Sequence, residues 1–191
     1  MKQGIAIILS SPSGAGKTTI EQMLTNNDSN FVSSISITTR EKRPNEIDGK
    51  DYHFVSKNDF LELKQNNKLL EDELIFGHYY GTSRSQTAQV LKSGKNIIFV
   101  INWQGAINII SHLQHPTISF FILPPSLEVL KQRLLKRNTD NLKEIQKRLN
   151  HATFEISKQH LFHYTIINND LSKCVNTIKS IVNKHNSIIS V

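Results

Sequence analysis

From Ile5 to Thr19 the chain reads IAIILSSPSGAGKTT: an apolar run, a glycine-bearing loop and the start of a helical pattern. Ile5–Leu9 is β-rich without polar alternation, as in a strand covered on both faces. The next residues fit Gly-x-x-x-x-Gly-Lys-[Ser/Thr] at Gly16, Lys17 and Thr18, with Ser11 where glycine is usual. Gly14 and Gly16 let backbone N–H groups converge on phosphate oxygens. A helix starting near Thr18 aims its positive end at the same place. Lys17 offers a point charge to the outer phosphates, and the Thr18 hydroxyl offers a ligand to Mg²⁺. A plain Ser/Gly turn is the alternative. The strand before and the helix after favour phosphate binding, and Ser11 is small enough to permit the turn.

The rest of the chain repeats that layout. Ile97–Ile101, Ile118–Leu123 and Tyr164–Ile167 are further apolar runs. Helical patterns separate them at Thr18–Leu24, Ser85–Leu91, Gln104–Leu113, Leu127–Leu135 and Leu142–Ile156, and a last helix starts near Leu171 and runs toward His185. Strands alternating with helices predict a parallel sheet in a βαβ array. The segment from about Ser34 to Tyr80 is more polar and reads as an insertion of small strands plus a helix at Asn58–Gln65. With 191 residues, the chain suits one domain. One cysteine, Cys174, makes no internal disulfide, which points to a reducing compartment. Ile5–Leu9 is shorter than a signal-peptide apolar region, and no run approaches the ~18 apolar residues of a membrane span. A cytoplasmic protein without a membrane partner is expected. The net charge of +7 suits an anionic partner or a lysine-rich solvated surface equally well. No basic stripe with interleaved aromatics marks a nucleic-acid binder.

SISITTREKRPNEIDGKDYHFV (residues 34–55) carries Arg40, Arg43 and Tyr52, two guanidinium forks and a phenol suited to a phosphate dianion. On their own they read equally as surface charge on a loop. LLEDELIFGHYYGTS then brings Glu71, Tyr80 and Thr82 within a short span. Here the chain resembles the guanylate kinases, which move a phosphoryl group from ATP to GMP. SSPSGAGKTT, TTREKRP, DGKDYHF, FGHYYGTS, WQG, FFILPPS and IINND occur in the family's order from Ile5 to about Ile181.

The resemblance implies an α/β fold of three layers with a central parallel sheet, an inserted small mixed α/β GMP-binding region and a helical lid. Within one domain over residues 1–191, the core would take 1–33 and 95–191, the insertion about 34–94 and the lid about 126–150. The loop residues Ser11, Pro12, Ser13, Gly14, Ala15, Gly16, Lys17, Thr18 and Thr19 would bind ATP with Mg²⁺, and Asn168 would lie near the adenine. Ser36, Arg40, Arg43, Tyr52 and Tyr80 would surround the GMP phosphate. Glu71 and Thr82 would read guanine: a carboxylate accepts from N1–H and the 2-amino group, and a hydroxyl can donate to O6. Arg133, Arg137 and Arg148 would close over the transferring phosphate, with Lys17 and Arg40 completing the catalytic set. Acceptance of GMP and dGMP, and either a monomer or a homodimer, complete the expectation.

Three positions depart from the family, one of them Asn169, which stands where the family usually has an acid. The family's strand before the aromatic residue and Gln-Gly ends in an acid, one apolar residue and a second acid; here Val100 and Asn102 hold the acid positions. The first acid supports the Mg²⁺ region and the second helps hold guanine. A GMP- or partner-binding module with impaired catalysis is therefore the competing expectation. If the enzyme is active, Asn102→Asp is expected to tighten GMP.

Overall fold

Ile5, Ile7 and Leu9 face one hydrophobic cluster, Ala6 and Ile8 face another, and all five are fully buried. The missing polar alternation in this run follows from that two-sided cover. Each buried isoleucine or leucine contributes roughly 1.5–3 kcal/mol.

The computed structural model describes residues 3–75, 77–136 and 142–189. In chain order, the elements are β1 Ala6–Ser10, α1 Lys17–Asn27, β2 Phe31–Ser33, β3 Ile37–Thr38, β4 His53–Phe54, α2 Lys57–Gln65, β5 Leu69–Ile75 and β6 His78–Ser83. They continue as α3 Arg84–Lys92, β7 Asn96–Val100, α4 Trp103–His112, β8 Thr117–Leu123, α5 Leu127–Lys136, α6 Leu142–Ile156, β9 Tyr164–Ile167 and α7 Leu171–Ile189.

The large sheet runs β2-β7-β1-β8-β9 and is parallel throughout. Helices α1 and α7 cover one face through Ile20, Leu24, Val175, Ile178 and Val182. Helices α3 and α4 cover the other through Leu91, Ala106 and Ile109. Open parallel sheets bind ligands at the carboxyl ends of their strands. The glycine loop leaves β1 at that edge, and β7 ends beside it, with Leu9 opposite Val100.

The small sheet runs β4-β3-β6-β5 and is mixed: β3 pairs parallel with β4 and antiparallel with β6, which pairs antiparallel with β5. Its apolar face packs Ile37, Leu69 and Tyr79 around Phe60 of α2, with the Phe60 and Tyr79 rings stacked 5.3 Å apart. A capping box starts α2: Ser56 accepts the Asp59 N–H, and Asp59 accepts the Ser56 N–H. The register shifts between Leu69 and Asp72. This bulge lets Leu69 join the apolar face while Glu71 points away from it, toward α4.

Candidate active site

Gly14 and Gly16 hold φ of +91° and +104°, left-handed backbone that side chains resist. A Cβ on Gly16 would also lie 2.5 Å from Asn168 Nδ2. That amide donates to the Ala15 carbonyl at 2.7 Å. Arg133 donates to the Asn168 carbonyl at 3.1 Å and reaches the Ala15 carbonyl at 3.5 Å. Both residues stand against the loop backbone: Asn168 is 2% exposed and braces the loop, and Arg133 reaches the one loop carbonyl of Ala15 besides that of Asn168. The resemblance implies a place near the adenine for Asn168 and the transferring phosphate for Arg133. Gly16→Ala is expected to raise the KM for ATP about 5- to 30-fold, the scale of the 1–2 kcal/mol cost of left-handed backbone, and to leave the KM for GMP unchanged. Steady-state kinetics with each nucleotide varied in turn checks this.

Ser11 has a positive role that sequence reasoning missed. Lys17 Nζ donates to its carbonyl at 2.7 Å and to its hydroxyl at 2.9 Å, and the hydroxyl donates to the Pro12 carbonyl at 2.8 Å. Glycine could offer only the carbonyl. A cavity of about 190 Å³ opens beside the loop, lined by Ser13, Gly14, Gly16, Lys17, Thr18 and Thr19. Arg148 of α6 reaches Ser13 Oγ at 3.0 Å. Glu155, on the same helix, also comes to the loop. Burial raises its pKa, while the charges of Lys17 and His151 and the Ser13 N–H lower it. Arg137 lies outside the described residues.

The second half of the site is the polar face of the small sheet. Arg40 donates to the Glu46 carboxylate at 2.6 Å and lies over the Tyr52 ring, 5.4 Å from its centre. Tyr52 and Tyr80 meet edge to face at 6.0 Å. Glu46, the Tyr80 hydroxyl and both their charges hold the guanidinium pKa up against burial, and Glu46 contributes most. Arg43 is exposed and joins this group through its N–H, which donates to Glu46 at 2.8 Å. Ser36 accepts the His53 N–H through its carbonyl just before β3.

Glu71 and Thr82 face each other across β5 and β6. Thr82 Oγ1 donates to Glu71 Oε1 at 2.6 Å, and both residues are buried. A hydroxyl has one proton, and in this structure Thr82 gives it to the carboxylate, which it orients. Burial pushes the Glu71 pKa up to about 7, with Glu73 and Asp72 adding to the rise and Thr82 opposing it. Glu71 Oε2 would lie 3.1 Å from a Cβ on Gly105, and Ile101 would lie at 2.4 Å from it. Only glycine lets the start of α4 approach the carboxylate this closely. Asn102 caps α4: its Oδ1 accepts the Gly105 N–H at 2.9 Å, and its Nδ2 donates to Glu73. Val100 packs on the α1–α7 side of the sheet core.

A strand, glycine loop and helix at the carboxyl edge of a parallel sheet define the class of P-loop nucleotide-binding α/β proteins. The chain belongs to the guanylate kinase family, whose sequence model matches residues 3–185. It is 47% identical over 182 residues to a guanylate kinase of Wolbachia pipientis wMel, covering 95% of this chain and 90% of that one. It is 42% identical over 181 residues to a guanylate kinase of Zymomonas mobilis subsp. mobilis, covering 95% of this chain and 84% of that one. Among solved structures, the crystal structure of guanylate kinase from Anaplasma phagocytophilum matches with a TM-score of 0.79 at 33% identity, covering 97% of this chain and 87% of that one.

Proposed function

We propose that this chain transfers the γ-phosphoryl group of ATP to GMP, and to dGMP, giving ADP and GDP. The observation that carries the reading is the buried Glu71, oriented by Thr82 and approached by Gly105. Guanine presents N–H donors along one edge, and a buried carboxylate accepts from them. Adenine would leave Glu71 facing the wrong pattern, a mismatch worth ~10⁴-fold in discrimination.

The ATP phosphates take the glycine loop and Lys17, and the acceptor phosphate takes Arg40, Arg43, Tyr52 and Tyr80. Phosphate would displace Glu46 from Arg40, because a dianion competes well for a guanidinium fork. The second pKa of a phosphate ester is about 6, so the acceptor oxygen is already a nucleophile near neutral pH and needs no strong base. What remains is positioning and charge neutralisation. The exposed Thr18 hydroxyl lines the loop cavity, which suits a metal that keeps several waters. Mg²⁺ arriving with ATP would supply positive charge at the phosphates.

Arg148, already at Ser13, would act on the transferring group, with Arg137 as its companion. Arg148→Ala is expected to lower kcat on the order of 10²-fold with little change in the KM for GMP, since its contact counts most in the transition state. A rise in that KM alone would move Arg148 to the acceptor site. The proposal as a whole is tested by coupling ADP formation to NADH oxidation with GMP, dGMP and AMP as acceptors.

A further inference from the structure

We propose that Glu73 is a specificity-determining residue that reads the 2-amino group of the purine, held in place by Asn102. The inference rests on the guanylate kinase reading and deepens it at the base. Glu71 and Glu73 share one face of β5, while Asp72 between them turns away to Lys64 at 2.6 Å. Tyr80, opposite Glu73, carries the acceptor-phosphate cluster on that same strand pair. Asn102 fixes the direction of the Glu73 contact. Its Oδ1 is committed to the Gly105 N–H, so the amide nitrogen must be the atom facing Glu73, and that partner must accept. The contact sets a second carboxylate at the start of α4, close enough to Glu71 to raise its pKa.

The count of hydrogens on guanine calls for that second acceptor. Its edge offers three: N1–H and two on the 2-amino group. Glu71, with Oε1 already accepting from Thr82, meets N1–H and one amino hydrogen, and Glu73 takes the other. Asn102 on its own would present a donor to a donor. The Asn102–Glu73 pair therefore puts a negative acceptor at the amino group without a carboxylate at position 102, which reverses the expectation for Asn102→Asp. An aspartate there would set two carboxylates against each other and lower GMP efficiency.

The test compares GMP with inosine 5′-monophosphate, which keeps N1–H and O6 but lacks the 2-amino group. kcat/KM for both is measured for wild type, Glu73→Gln, Glu73→Ala and Asn102→Asp, with Tm alongside. The expected result is a fall in the GMP-to-IMP ratio of about 10–100-fold in both Glu73 variants, the scale of one charge-assisted hydrogen bond, and a lower GMP efficiency in Asn102→Asp. The near-isosteric glutamine guards against misfolding. An unchanged ratio with a lowered Tm would overturn the proposal and leave Glu73 as a brace for α4. A gain in GMP efficiency from Asn102→Asp would overturn the pairing. If wild type turned over no GMP, the function above would fall, and the same ratio read from calorimetric Kd values for GMP and IMP would still decide the role of Glu73.

Discussion

Lys17→Met is expected to reduce kcat on the order of 10³-fold, the upper range for removing one charged stabiliser from a transferring group. Methionine keeps most of the stem and removes the ammonium, so the loop should stay folded. Its shape rests on Asn168, Arg133 and two left-handed glycines, none of which needs the lysine. Ser11 holds the ammonium at the head of the loop through a carbonyl and a hydroxyl. Ser11→Ala leaves the carbonyl and is expected to cost about 10-fold, the low end for one hydrogen bond to a charged group. Single-turnover kinetics on both variants, with circular dichroism to confirm folding, separates the two effects. Equal losses would mean that the hydroxyl, and not the charge, is what the loop requires.

Glu71→Gln is expected to lose about 2–4 kcal/mol of transition-state stabilisation with GMP, roughly 30- to 1,000-fold in kcat/KM. The amide keeps one acceptor and turns a donor on the guanine edge. A pH signature accompanies the loss. Burial raises the Glu71 pKa to about 7. The ionised form accepts from guanine and the protonated form does not, so the wild-type KM for GMP should fall as pH rises through about 7. In Glu71→Gln that inflection should vanish, leaving the titration of the GMP phosphate near 6. Stability moves the other way. The folded pKa lies above the reference value of 4.5, so the folded state binds this proton more tightly than the unfolded chain does. The contribution is full below about pH 4.5 and is lost as pH rises toward 7. Glu71→Gln should therefore flatten the fall in Tm across that window. A KM for GMP indifferent to pH in wild type would remove Glu71 from the base.

Which parts of this were legible follows from how far each signal reaches along the chain. The loop, β1, β7, β8, β9 and the longer helices carry periodic or positional signals over four or more residues, and the resemblance rests on them. β2 has three residues and β3 and β4 have two each, too few to set a period. The contacts of Arg133 and Asn168 were not readable. Their partner is the carbonyl of Ala15, 118 and 153 residues away, and a backbone carbonyl leaves no trace in residue identity. Glu71 was found by motif, but the commitment of Thr82 to it was not, because the one proton of a hydroxyl can go to a neighbouring carboxylate or to a base. Glu73 was hidden by the bulge between Leu69 and Asp72. Without that slip, simple alternation would put Leu69, Glu71 and Glu73 on one face, and the apolar and polar sides of the small sheet could not be told apart. Ser11 read as a tolerated defect, and only the position of the Lys17 ammonium gives it a purpose.

The central claim is that two half-sites, the glycine loop and the polar face of the small sheet, act together on one phosphoryl group. Its most direct measurement is ADP formation from ATP and Mg²⁺ with GMP or AMP as acceptor, with the nucleotide products resolved by chromatography. The account predicts stoichiometric ADP and GDP from GMP, on the order of 10⁴-fold less turnover with AMP, and little ADP when no acceptor is present. Tight GMP binding with no GDP at any Mg²⁺ concentration would contradict it.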